Sequence, residues 1–192
     1  MDFQQPFGGL ITGANGTVLS VLLRTSTPLT GRQIHTLTGN RSLWSTQQAL
    51  ASLQQIGLID VTTVGKANLH TINPDHYAIA PLRILLDPIA ALRETVNQNI
   101  DKTVQTVLLF GSVARGEATP QSDIDLAVIA PQTWPGRINL QTAITKQLGN
   151  NCDVLVFTLK QFAANKEPVI KEIMRDGITI HGTKPHNQGK PS

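Results

Sequence analysis

Apolar positions in the first half of the chain recur at helical spacing, and those in the second half gather into short unbroken runs. From Gly16 onward, Val18, Leu19, Leu22 and Leu23 follow a period near 3.6, and Pro28 ends that segment. Thr30 is placed to cap a second short helix through Gln33, Ile34 and Leu37. Ser42 to Ile56 predicts a third helix, with Leu43, Thr46, Leu50 and Leu53 on one face and Gly57 as its terminator. Leu58 to Thr63 and Leu69 to Ile72 read as two strands joined by the residues from Val64 to Asn68. Tyr77 to Asn99 is again helical, interrupted at Pro81 and Pro88, with Leu85, Ile89, Leu92 and Val96 in phase.

After residue 100 the apolar positions cluster. Val104 to Phe110, Ile124 to Ile129 and Asp153 to Phe157 are short, largely β-branched or aliphatic runs that predict buried strands. The first ends at Gly111-Ser112, and ten residues later the second opens as Asp123-Ile124-Asp125. Strand residues two apart share a face, so Asp123 and Asp125 project together, with Ile124, Leu126 and Val128 turned to the core. Adjacent carboxylates repel, and a divalent cation removes that penalty; hard oxygen ligands at this spacing suit Mg²⁺ or Mn²⁺. The bland alternative is an edge strand whose acids face water.

The Gly-Ser turn tips the balance. Gly111 lets backbone N–H groups approach a phosphate, and Ser112 adds a hydroxyl at the start of a short helix. No Gly-Lys-Ser/Thr follows, so this is not a Walker A loop. Arg115 is either a phosphate ligand or an exposed loop arginine without a partner. Asp153 opens the third run. If that run pairs beside residues 124–129, Asp153 reaches the same metal site; otherwise it is a turn residue.

The segment GSVARGEATPQSDIDLAV matches the Gly-Ser-x10-Asp-x-Asp signature of the minimal nucleotidyltransferases of the DNA polymerase beta superfamily, and the chain resembles them over residues 102–182. The resemblance implies that Gly111 and Ser112 bind a nucleoside triphosphate, ATP by preference, with Arg115 beside them. It implies that Asp123, Asp125 and Asp153 are catalytic and hold two metal ions, with Asp153 activating an acceptor hydroxyl. Residues 173–180 look like the closing helix and strand of that family. Small proteins of this type act as antitoxins that adenylylate a HEPN-type toxin, and others modify aminoglycosides, so the acceptor stays open. A regulator whose transferase domain senses nucleotide or docks a partner without catalysis is the competing reading.

Three helices followed by a hairpin is the order of a winged helix-turn-helix. The run ALASLQQIGLIDVTTVGKANLHTINPDH resembles the recognition-helix end and wing of MarR/ArsR-like regulators. That likeness implies double-stranded DNA as a partner, with Arg41, Ser42, Trp44, Ser45 and Gln48 facing the groove and Lys66 on the wing. Trp44 is equally readable as a packing residue. Residues 1–85 hold only Arg24, Arg32, Arg41, Lys66 and Arg83 against Asp2, Asp60 and Asp75, a thin charge for phosphate neutralisation. A homodimer would double it, and a protein-docking role for this half is the alternative.

The fold class expected is therefore α+β in two domains. A winged helix-turn-helix spans residues 1–80, a helical connector 81–101, and a polymerase-beta-like transferase with a small mixed sheet flanked by helices 102–182; a flexible tail covers 183–192. A chain of 192 residues with 40% hydrophobic and 4% aromatic content accommodates two small aliphatic cores. Cys152 is the single cysteine, which excludes an intrachain disulfide or a cysteine zinc cluster. With neither a membrane-length apolar run nor a signal pattern, the expected location is cytoplasmic and off the membrane.

Overall fold

The computed structural model describes residues 1–39, 41–164 and 166–184; most of the tail expected to be flexible, from residue 185, lies outside them. The chain divides into two compact units, Gln5–Pro88 and the rest, Met1–Gln4 with Ile89–Ser192. Residues 81–101, expected as a connector, are shared between the two.

The first unit runs α1 (Gly13–Arg24), β1 (Leu29–Thr30), α2 (Gly31–Leu37), α3 (Leu43–Gln55), β2 (Ile59–Val64), β3 (Ala67–Ile72) and α4 (Ile79–Leu85). Val18, Leu19, Leu22 and Leu23 of α1 are buried against Leu50 and Leu53 of α3 and Ile34 of α2. Thr30 caps α2 through a capping box: it accepts from Gln33 N at 3.3 Å, while Gln33 Oε1 accepts from Thr30 N at 2.8 Å. Ser42 caps α3 by accepting from Ser45 N at 3.1 Å. Gly57, at φ +77, ends α3, with Leu58 N donating to Leu53 O at 3.0 Å.

Four details differ from the sequence reading. Leu43 is 42% exposed, and Ala49 takes its place on the buried face of α3. The hairpin loop is only Gly65-Lys66, because Val64 pairs with Ala67 and Gly65 at φ +61 makes the tight turn possible. A short strand, β1, joins β3, so the sheet has three antiparallel strands in the order β1-β3-β2. Pro81 does not interrupt its helix, since it falls in the first turn of α4, where backbone N–H groups have no intrahelical acceptor.

The second unit contains α5 (Pro88–Asn99), β4 (Thr106–Phe110), α6 (Gly111–Arg115), β5 (Ile124–Ile129), α7 (Arg137–Leu148), β6 (Cys152–Phe157), α8 (Leu159–Ala164), α9 (Pro168–Asp176) and β7 (Ile178–Gly182). Its strands lie in the order β6-β5-β4-β7. β5 and β6 are parallel, linked by a crossover through α7, while β4 pairs antiparallel with β5 and β7, so the sheet is small and mixed. Both faces are covered. Ile124, Leu126 and Val128 pack with Leu92, Val96, Leu140 and Ile144 from α5 and α7. Ala127 and Ile129 pack on the opposite face with Phe162, Ile170 and Ile173 from α8 and α9. On β5 itself, the face that carries Asp125 is thus polar only at its N-terminal end. No helix among the described residues is long and apolar enough to cross a membrane.

Candidate functional site

The mixed sheet places its chemistry where β4 ends and β5 and β6 begin. Parallel registry pairs Asp125 directly with Asp153, so both carboxylates leave the same face of neighbouring strands. Phe110, the last residue of β4, pairs with Asp125 from the other side, which brings the following Gly111-Ser112 turn onto that carboxylate. Gly111 sits at φ +70, and a Cβ there would lie 2.1 Å from Asp125 Oδ2. Only a glycine fits both the backbone conformation and the close approach.

Asp123 and Asp153 are exposed, and Asp125 is half-buried. Burial raises the Asp125 carboxyl above its ordinary value, and repulsion from Asp153, Asp123 and Glu172 raises it further; Arg115 partly offsets this. The three acids therefore share one electrostatic neighbourhood. They do not close into a cage: among the described residues, no three His, Cys, Asp or Glu side chains form a group that could hold a metal ion by themselves. Asp123 stands before the paired part of β5, where no strand partner fixes it. An open acidic set still fits Mg²⁺, which is commonly held by one or two carboxylates together with substrate phosphates.

Arg115, at the end of α6, is not the partnerless arginine that one reading allowed. Its Nε donates to Glu117 Oε2 at 2.8 Å and its Nη1 donates to Glu172 Oε1 at 2.5 Å. Both pairs raise the guanidinium pKa, Glu117 most. Glu172 lies on α9 and was not singled out from sequence; no local motif marks a glutamate so far along the chain from Asp125. Cys152, beside Asp153, is buried, and desolvation with the neighbouring acids pushes its thiol up to about 12, which leaves it inert.

In the first unit the six residues proposed to face DNA surround the start of α3 and the hairpin tip. Trp44 is 70% exposed and takes no part in the core of this unit. Arg41, Gln48 and Lys66 are exposed. The Ser42 and Ser45 hydroxyls are engaged in the α3 cap, Ser42 Oγ donating to Ser45 Oγ at 3.1 Å and Ser45 Oγ to Ser42 O at 2.9 Å. Arg41 Nη2 donates to Thr17 Oγ1 at 3.4 Å. Between α3 and the hairpin lies a cleft of about 760 Å³ whose lining includes Arg32, Gln47, Gln54, Lys66, Asn68 and His70, with no acidic residue. None of Arg32, Gln47 and Gln54 was singled out from sequence; Gln47 and Gln54 stand three or four residues from Leu43 and Leu50 on α3, a spacing that could have pointed to them, whereas Arg32 on α2 carries no such signal. Burial lowers the His70 pKa, and its Nδ1 is enclosed without a hydrogen-bond partner.

The span of a known family falls within the second unit. The family model for polymerase beta, nucleotidyltransferase, matches residues 91–186, half of the chain. No curated protein sequence matches. Among solved structures, the chain is similar to a toxin–antitoxin complex with AMP-PNP, at 24% identity over 50% of this chain and 75% of that one, with a TM-score of 0.40. It is also similar to the toxin–antitoxin complex MntA–HepT, at 22% identity over 50% of this chain and 70% of that one, TM-score 0.35. A third is a tri-AMPylated Shewanella oneidensis HEPN toxin in complex with its MNT antitoxin, at 20% identity over 50% of this chain and 73% of that one, TM-score 0.36.

Proposed function

The chain belongs to the polymerase beta nucleotidyltransferase family and is a nucleotidyltransferase, and from that premise we propose that it transfers AMP from ATP to a hydroxyl on a partner protein. The observation that carries this reading is the registry of Asp125 with Asp153 beside a Gly111 backbone that rests on the Asp125 carboxylate.

Gly111 N–H and the Ser112 hydroxyl hold the β- and γ-phosphates, and Arg115 turns from its glutamate partners toward the same oxygens. Asp123, Asp125 and Asp153 would hold the divalent ions, with Asp153 nearest the acceptor hydroxyl. When bound, Mg²⁺ or Mn²⁺ neutralises charge on the entering and leaving oxygens. The acceptor oxygen forms a bond to the α-phosphorus, and the bond from that phosphorus to the bridging oxygen breaks. Pyrophosphate leaves with the electron pair, and Asp153 receives the hydroxyl proton. Positioning does most of the work, as is usual for transfer to phosphorus.

The acceptor in this proposal is a HEPN-type toxin, the partner implied by the sequence resemblance. The first unit is a winged helix-turn-helix in the same reading and binds double-stranded DNA to repress the chain's own operon. What supports it is the succession of α1 to α3 and the β2–β3 hairpin, with Trp44, Gln48 and Lys66 exposed and an acid-free cleft that Lys66 helps to line. A salt-titrated mobility shift on the upstream DNA tests that half, because phosphate contacts give a steep salt slope. The transfer itself is tested with ATP labelled at the α-phosphate, Mg²⁺ and the purified acceptor. Label should move to the acceptor with wild type and not with the Asp123→Asn, Asp125→Asn double variant; transfer by the double variant would refute the assignment.

A further inference from the structure

Six polar side chains are buried among the described residues: Ser20, Thr38, Thr46, Thr95, Thr106 and Asn150. Four of the hydroxyls satisfy themselves locally, each donating to a carbonyl three or four residues back, as Ser20 does to Thr17 O and Thr95 to Ala91 O. Thr106 donates to Thr183 O at the β7 side of the sheet. Asn150 is different. It follows the α7 C-cap at Gly149, is 4% exposed, and reaches segments far away in sequence. Its Nδ2 lies 3.0 Å from Ser122 O, 3.3 Å from Pro120 O and 3.2 Å from Met1 O. The next residue continues the stitch, because Ile124 N donates to Asn151 O at 2.8 Å.

Those contacts bracket Asp123. The carbonyl before it is held by Asn150 and the amide after it by Asn151, and three residues beyond Asn150 the chain reaches Asp153. Asp125 needs no such help, since strand pairing with Asp153 fixes it. Asp123 precedes the paired residues, so its place relative to Asp153 depends on this turn. We propose that Asn150 is a positioning residue that sets the distance from Asp123 to Asp153 and so the affinity of the acidic set for its divalent ion in the presence of nucleotide; this rests on the metal-and-nucleotide reading given above. A hydroxyl or an ionised acid at the same position cannot do this, because only the amide contributes two N–H donors from a side chain that is itself buried.

The test titrates Mn²⁺ into the full chain with a non-hydrolysable ATP analogue, following free Mn²⁺ by electron paramagnetic resonance. Asn150→Ala and Asn150→Asp remove the donors, and the second keeps the volume should the first fail to fold. Thr106→Val breaks a comparable buried hydrogen bond on the other side of the sheet and controls for stability, with thermal unfolding measured for each. Loss of a group that orients metal ligands commonly weakens binding roughly 10–100-fold, and an effect of about tenfold or more is expected for both Asn150 variants. Thr106→Val should bind as wild type does, and Asn150→Gln, which retains the donors, should recover part of the affinity. Equal Mn²⁺ affinity in Asn150→Asp and Thr106→Val would overturn the positioning role and leave the transfer reading standing. Absence of nucleotide-dependent Mn²⁺ uptake by wild type would overturn that reading and this inference with it.

Discussion

Replacing Gly111 with alanine separates two costs that the turn after β4 imposes. The first is conformational: Gly111 sits at φ +70, and a side-chain-bearing residue in that left-handed region costs about 1–2 kcal/mol. The second is a collision, because the new Cβ would lie 2.1 Å from Asp125 Oδ2, where real Cβ contacts essentially never fall below 3.0 Å. Either the turn or the carboxylate must then yield by close to 1 Å, and a misplacement of about 1 Å at a reacting centre costs on the order of 10²-fold in rate. Gly116 supplies the control. It has φ +73, yet its added Cβ would meet nothing nearer than the Gln4 side chain at 3.9 Å. Denaturant unfolding should therefore show a loss of about 1–2 kcal/mol for Gly116→Ala and at least as much for Gly111→Ala. Transfer of labelled AMP should fall about 10²-fold only for Gly111→Ala. If the two variants transfer at the same rate, the Gly111 contact with Asp125 has no part in catalysis and the site as drawn is wrong.

Further outcomes follow from the same geometry. The folded-state pKa of Asp125 is raised, so its ionisation opposes folding above that pKa, and the opposition disappears as pH falls below the unfolded value. Asp125→Asn should consequently lose transfer while melting higher than wild type at neutral pH, with the difference shrinking on acidification in a thermal-unfolding series. Cys152, buried with its thiol pushed up to about 12, should resist alkylation at neutral pH until denaturant unfolds the second unit, as mass spectrometry would read. Under the proposed DNA-binding role of the first unit, Lys66→Ala should weaken binding across sequences and reduce the salt slope by about 1. Leu92→Ala should cost roughly 2–5 kcal/mol of stability, because Leu92 is fully enclosed between α5 and the sheet.

Most of what the sequence could determine is local. Strand alternation predicted Asp123 and Asp125 on one side; the strand is found over Ile124–Ile129, which contains Asp125, while Asp123 stands just before it. Thr30, Ser42 and Gly57 marked helix ends because capping is a contact across three or four residues. The Gly-Ser turn after an apolar strand was equally readable, since positive φ and close approach demand glycine wherever they occur. The misjudgements are also informative: the loop at Gly65-Lys66 came out shorter, and Leu43 stayed exposed, because periodicity alone does not say where a helix meets its neighbours.

What the tertiary structure alone decided are contacts between residues distant along the chain. Asp153 could have been a turn residue until the parallel registry of β5 and β6 set it against Asp125. Burial of both sheet faces, the Glu172–Arg115 pair and the clasp of Asn150 on Ser122 join segments 28 or more residues apart. Side-chain periodicity is a property of a few consecutive dihedral angles and is written into the sequence. Which segments become neighbours depends instead on how whole elements bury their apolar faces together, and that choice is made only by the folded chain.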